Sequence, residues 1–183
     1  MDSNIDFEKI KNFSKPELRS HLKTFEPISW KFSVPMINKL CGDKLTGAFF
    51  PEPKWSEPTN IDELKINICF PRINGKQMEF ARCIYSAGVV NFPWQVKVSP
   101  EMAMTVYPEV LLIPGALFDR MGHRIGRGAG HYDRYLEKHP YIRKIGLISE
   151  GYLVDTFPHH WIQSHDQQMD AIITEKEIIS ISY

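Results

Sequence analysis

No charge dominates the chain: its 183 residues carry 22 Lys and Arg against 22 Asp and Glu. With neither an overall basic field nor an acidic tail, composition gives no reason to expect nucleic-acid binding or disorder, so function must come from local clusters. No apolar run approaches membrane-spanning length, and no membrane partner is expected. The N-terminal MDSNIDFEKIKNF lacks a basic start followed by an apolar core, so an unprocessed chain is expected. Cysteine is scarce. Cys41, Cys69 and Cys83 are odd in number, widely spaced and without a C-x-x-C pair, which points to reduced core thiols in a cytoplasmic protein. Internal repeats and low-complexity tracts are also missing, so residues 1–183 are read as one domain and a monomer is expected.

What is present is punctuated by capping and turn signals. Ser14-Lys15-Pro16-Glu17 fits a capping box, with Pro16 tolerated in the first turn. The helix it starts places Lys15 and Arg19 on one face, where both could reach the same anion. Leu45 to Phe50 reads as a strand ended by Pro51-Glu52-Pro53. Thr59 or Asn60 caps a short helix through Leu64, Ile66 to Phe70 reads as a strand closed by Pro71, and Gln77 to Ile84 alternates like a half-exposed strand. Val110 to Ile113 is an apolar strand, buried on both faces if central and parallel. A helix at Tyr132 to Lys138 and strands at Lys144 to Ile148 and Ala171 to Thr174 complete the pattern. Strands alternating with helices favour a layered α/β/α fold with a mostly parallel central sheet.

The densest chemistry lies in Ile113 to Leu136, IPGALFDRMGHRIGRGAGHYDRYL. Asp119-Arg120-Met121-Gly122 fits a type I turn. Beyond it, Gly126, Gly128 and Gly130 allow positive φ and close approach of N–H groups to an anion, with Arg124 and Arg127 supplying charge. Arg120 and Arg134 stand further out, as solvated surface. A helix starting near His131 would turn its free N–H groups and positive dipole end toward a phosphate. Asp133 in its first turn is a natural ligand for Mg²⁺. A G-x-G-x-G run also closes ordinary hairpins, and this one is neither a P-loop nor a dinucleotide fingerprint. His159, His160, His165, Asp166 and Asp170 match no standard zinc spacing.

Lys15-x-x-Leu18-Arg19, the Ile113–Leu136 stretch and His165-Asp166 together resemble the 5-formyltetrahydrofolate cyclo-ligase (5,10-methenyltetrahydrofolate synthetase) family, over nearly the whole chain. The most specific part is Pro114-Gly115-x-x-Phe118-Asp119-x-x-Gly122-x-Arg124-x-Gly126-x-Gly128-x-Gly130-x-Tyr132-Asp133. The resemblance implies a fold like that of the ribose-5-phosphate isomerase and CoA-transferase group. It implies conversion of 5-formyltetrahydrofolate, possibly polyglutamylated, to 5,10-methenyltetrahydrofolate with ATP and Mg²⁺. The γ-phosphoryl group passes to the formyl oxygen, N10 attacks the activated carbon, and ADP and phosphate are released.

By the same resemblance, Lys15 and Arg127 are catalytic. Lys15, Arg19, Arg124, Ile125, Gly126, Arg127, Gly128, Ala129, Gly130, His131 and Tyr132 hold the nucleotide. Phe50, Glu57, Trp94, Arg127, Gly128, Ala129, Gly130 and His131 meet the folate, with Glu57 accepting the pterin N–H donors. Glu52 is a second candidate for that role, and Trp94 could equally be a core or lid aromatic. Met78 and Phe80 are pocket wall or core. Asp133 and Asp166 are the metal-binding aspartates. Two positions depart from the family pattern: His131 stands where tyrosine is common, and Tyr152 where glutamine is. A non-catalytic nucleotide- or ligand-sensing module, or a cyclo-ligase for another N-formyl compound, are the competing readings.

Overall fold

The chain begins with short capped helices. Asp6 caps α1 (Phe7–Ile10) by accepting from the Lys9 N–H. The predicted capping box starts α2 (Lys15–Leu22): the Ser14 hydroxyl accepts from the Glu17 N–H while the Glu17 carboxylate takes the Ser14 N–H. α3 (Val34–Cys41), unforeseen in the sequence, has Ser33 at its cap and a proline in its first turn. The computed structural model describes residues 5–52, 55–81 and 104–181.

The strands follow as β1 (Thr46–Gly47), β2 (Ile68–Asn74), β3 (Gln77–Ala81), β4 (Thr105–Val106) and β5 (Val110–Pro114). After them come β6 (Leu117–Asp119), β7 (Arg124–Ile125), α4 (His131–Lys138), β8 (Arg143–Leu147), β9 (Leu153–Val154), β10 (Ala171–Ile173) and β11 (Ile178–Ser180). Among the described residues they build an eight-stranded sheet in the order β11-β10-β8-β5-β1-β2-β3-β4, and a three-stranded sheet β7-β6-β9. From β10 to β2 the large sheet is parallel; at its edges β11 pairs antiparallel with β10, β3 with β2, and β4 with β3.

β5 is central and wholly buried, as its apolar run requires. Its alternate side chains feed two cores. Leu111 and Ile113 pack with Leu18 and Leu22 of α2 and Tyr135 and Leu136 of α4, while Val110 and Leu112 pack with Ile37 and Cys41 of α3. Helices therefore cover both faces of the mostly parallel sheet, the layering expected of such strands.

Several predicted elements change. The Leu45–Phe50 strand shrinks to β1, and the predicted helix after Asn60 is a single 3₁₀ turn, Ile61–Glu63. Asn60 makes no capping bond there; its amide instead pairs with both backbone groups of Phe32. Pro71 lies inside β2 rather than closing it. β1 extends only to Gly47, opposite Cys69, so one side of β2 is open at Pro71, where a residue without an N–H is tolerated. The strand from Gln77 runs to Ala81, and Arg82 to Ile84 fall outside the described residues, as do Cys83 and Trp94. Cys41 and Cys69 are buried, and burial pushes the Cys41 thiol up. No described helix is long and apolar enough to cross a membrane.

The small sheet seats the glycine loop. Gly122 closes the predicted turn by donating to the Asp119 carbonyl at 3.0 Å. The fully buried Asp119 carboxylate accepts from the N–H groups of Met121, His123 and Phe157, and meets the His123 ring. Phe118 packs directly against two glycines: a Cβ on Gly115 or Gly146 would sit 2.4 or 2.5 Å from its ring.

Candidate active site

α2 brings two cations to one cleft, as the spacing predicts. Lys15 Nζ lies 2.6 Å from Asp166 Oδ2, and the Lys15 side chain is only 12% exposed. One turn on, Arg19 Nε donates to the Gly126 carbonyl at 2.8 Å. Burial holds the Arg19 guanidinium below its usual range, opposed in part by the charge of Asp166. The N-terminal helix thus grips both the glycine loop and the C-terminal segment.

Arg124 is buried at the root of the loop. It donates to the Pro114 carbonyl at 3.2 Å, pairs with Asp133 at 2.8 Å, and lies over the Tyr132 ring at 5.7 Å. Pro114 ends β5 and Asp133 opens α4, so one guanidinium ties the sheet edge to the helix start. Of the three loop glycines, Gly128 (φ +108) and Gly130 (φ +65) adopt the expected positive-φ backbone, whereas Gly126 does not and instead packs against the Arg124 side chain. Gly130 is the α4 N-cap and supplies no side-chain bond, leaving first-turn N–H groups without a protein cap. Burial pushes the Tyr132 phenol up to about 12.

Arg127 reaches across the cleft. It pairs with Glu52 at 2.7 Å, contacts the buried Glu57, and stands 5.5 Å over the Trp55 ring. Burial lowers the pKa of its guanidinium, with Glu52 opposing the shift. Glu57 also accepts from the Glu52 N–H. Beside this group, Leu22, Phe25, Pro27, Trp55, Gly115 and Tyr152 line a pocket. Phe50 stacks on Phe70, with ring centroids 4.6 Å apart.

A model of the 5-formyltetrahydrofolate cyclo-ligase family matches residues 47–175. The chain belongs to that family. A curated 5-formyltetrahydrofolate cyclo-ligase of Mycolicibacterium smegmatis is 36% identical over 69 residues, 37% of this chain and 34% of that protein. That of Mus musculus is 27% identical over 123 residues, 59% of this chain and 60% of that protein. The chain therefore aligns with roughly a third to three-fifths of the length of these relatives. Among solved structures, the 5,10-methenyltetrahydrofolate synthetase of Aquifex aeolicus superposes with a TM-score of 0.60 at 22% identity, covering 100% of this chain and 88% of that one. The synthetase of Mycoplasma pneumoniae gives 0.56 at 21%, covering 96% and 99%. These likenesses establish the shared fold.

Lys15 and Arg19 precede the segment the family model matches, and tertiary structure brings them to the cleft. Arg124, Arg127, Glu57, Asp133 and Asp166 also converge on it through the pairs above, whereas Trp94 lies outside the described residues. Of the His/Asp cluster, His165 lies 3.9 Å from Asp166, whereas His160 meets the Phe13 carbonyl and Asp170 accepts from the Lys144 N–H. Two contributors were missed by sequence reasoning. Arg134, read as solvated surface, donates to the Ala129 and Lys76 carbonyls and pins the loop. Trp55 packs on Arg127, and its signal was an aromatic two residues before Glu57. Arg120 stays at the surface, as expected, and forms ion pairs there with Glu150 and Glu177.

Proposed function

We propose that the protein closes 5-formyltetrahydrofolate to 5,10-methenyltetrahydrofolate with ATP and Mg²⁺, releasing ADP and phosphate. The observation that carries this reading is the contact of Arg127, from the glycine loop, with buried Glu57. It supports a single cleft shared by a phosphate-handling loop and a carboxylate suited to a pterin edge. Lys15, Arg19 and Arg124, with Ile125 to Tyr132, would hold the nucleotide. Glu57, Phe50 and Trp94 would meet the folate, and Gly128 to His131 would lie between the substrates. Asp133 and Asp166 offer the hard oxygen donors that Mg²⁺ prefers, and the ion would neutralise charge on the phosphates.

A formamide carbonyl is a poor electrophile and its oxygen a poor leaving group. Attack of that oxygen on the γ-phosphorus, with loss of ADP, converts it into a phosphate ester. N10 then attacks the formyl carbon and gives up its proton to water, phosphate departs with the former formyl oxygen, and the ring closes as the methenyl cation. Arg127 and Lys15 would neutralise charge at the transferring phosphoryl group, and the protein's main task is to position two substrates. The likeness to the ribose-5-phosphate isomerase and CoA-transferase group, the single-domain monomer and a cytoplasmic site of action belong to the same proposal. Incubation of the purified protein with 5-formyltetrahydrofolate, ATP and Mg²⁺ should yield methenyl product by absorbance. Absence of ATP-dependent product would overturn the reading.

A further inference from the structure

Arg127 belongs to the glycine loop, yet its guanidinium is committed to the opposite wall of the cleft. Its side chain is 23% exposed and that of Glu57 only 3%. Glu52 adds a second carboxylate at 2.7 Å, and the Trp55 ring covers the guanidinium. A pair this enclosed is not readily replaced by water. Anything that takes Glu57 must bring donors of its own, and Arg127 is then left with the more exposed Glu52. Arg127 gives Glu57 only Nη2, its Nη1 going to Glu52, whereas the amino-pyrimidinone edge of a pterin brings a carboxylate two parallel N–H donors.

We propose that Arg127 is a placeholder on Glu57 in the ligand-free protein, and that this shared arginine couples nucleotide binding to folate binding. The inference rests on the cyclo-ligase reading of the cleft. Nucleotide phosphates draw Arg127 toward its own loop and uncover Glu57. A pterin edge on Glu57 releases Arg127 for phosphate. One exchange serves both ligands, so the coupling is reciprocal. Glu52 has a positioning role: it keeps an anion beside Arg127 when Glu57 is occupied, which eases the exchange.

The test is a calorimetric titration with 5-formyltetrahydrofolate, alone and in the presence of Mg²⁺ and a non-hydrolysable ATP analogue. The wild type should bind the folate roughly tenfold more tightly with the nucleotide analogue, within the usual range of such couplings. Arg127→Gln should bind folate more tightly than wild type without nucleotide, and its coupling should fall close to one. Glu52→Gln, at a more exposed position, should do the opposite: Arg127 is left with Glu57 alone, so nucleotide-free binding weakens and coupling grows. A merely structural role would not move the two variants in opposite directions. Coupling that persists in Arg127→Gln, or a shift of both variants in the same direction, overturns the inference. Wild-type protein that binds folate equally with and without nucleotide overturns the coupling alone. Wild-type protein that binds no folate overturns the cyclo-ligase reading itself.

Discussion

Glycine does different work in the floor of the cleft and in the loop above it. At Gly115 and Gly146 the space a Cβ would take is filled by the Phe118 ring, at 2.4 and 2.5 Å. At Gly128 the nearest atom to such a Cβ is the Arg19 side chain at 3.6 Å, an ordinary contact, but φ is +108. Gly115 and Gly146 in the floor are needed for close packing, whereas Gly128 in the loop is needed for backbone shape. Charge divides the two regions in the same way. The carboxylate in the floor, Asp119, is satisfied by neighbouring N–H groups. The carboxylates of the cleft are held by cations from other elements: Lys15, Arg124 and Arg127. Satisfied local bonds make a stable floor, and ion pairs that a ligand can exchange make a binding site.

The largest effect should come from the floor. Phe118→Ala removes a fully buried ring and should cost about 3–5 kcal/mol by denaturant unfolding. A loss of activity with stability unchanged would erase the contrast between the two regions. Gly128→Ala should be milder for the fold, about 1–3 kcal/mol of backbone strain, but should lower turnover roughly 100-fold by displacing the loop. Unaltered turnover would show that loop shape is dispensable.

Smallest is the effect at α2, which belongs to both regions through Leu18 in the core and Lys15 and Arg19 in the cleft. Ser14→Ala should destabilise the fold by about 1 kcal/mol. Its hydroxyl and N–H bonds hold the Glu17 carboxyl below the usual range. A depressed folded-state value gives stability that is present above the unfolded value and lost as pH falls through the folded one. The difference between wild type and Ser14→Ala should therefore shrink in acid. A difference that widened in acid would contradict the capping box.

Much of this was legible because some signals are local. Ser14 with Glu17, and Asp119 with Gly122, are partners three residues apart, and β5 announced itself by unbroken apolarity. α3 was missed because Ser33-Val34-Pro35 is followed by Met36 where a capping box has Glu or Gln, and the helix is held instead by Ile37 and Cys41 in the second core. The small sheet was missed because β7 and β9 are each two residues long and pair only through β6. Arg134 looked like solvated surface because its acceptors are backbone carbonyls, which every residue carries and no sequence pattern marks.

By itself, the sequence determined the capping box at Ser14, the turn at Asp119, the buried central strand and the set of charged and glycine residues available to a site. Their hydrogen bonds close within a few residues, or their burial follows from composition alone. Only the tertiary structure decided which charges would meet. Lys15 finds Asp166 151 residues away, and Arg19 finds Gly126 107 residues away. Arg127 likewise turns from its own loop to Glu52 and Glu57. A buried cation must take a nearby anion or polar acceptor, and packing of the sheet and helices determines which one is near.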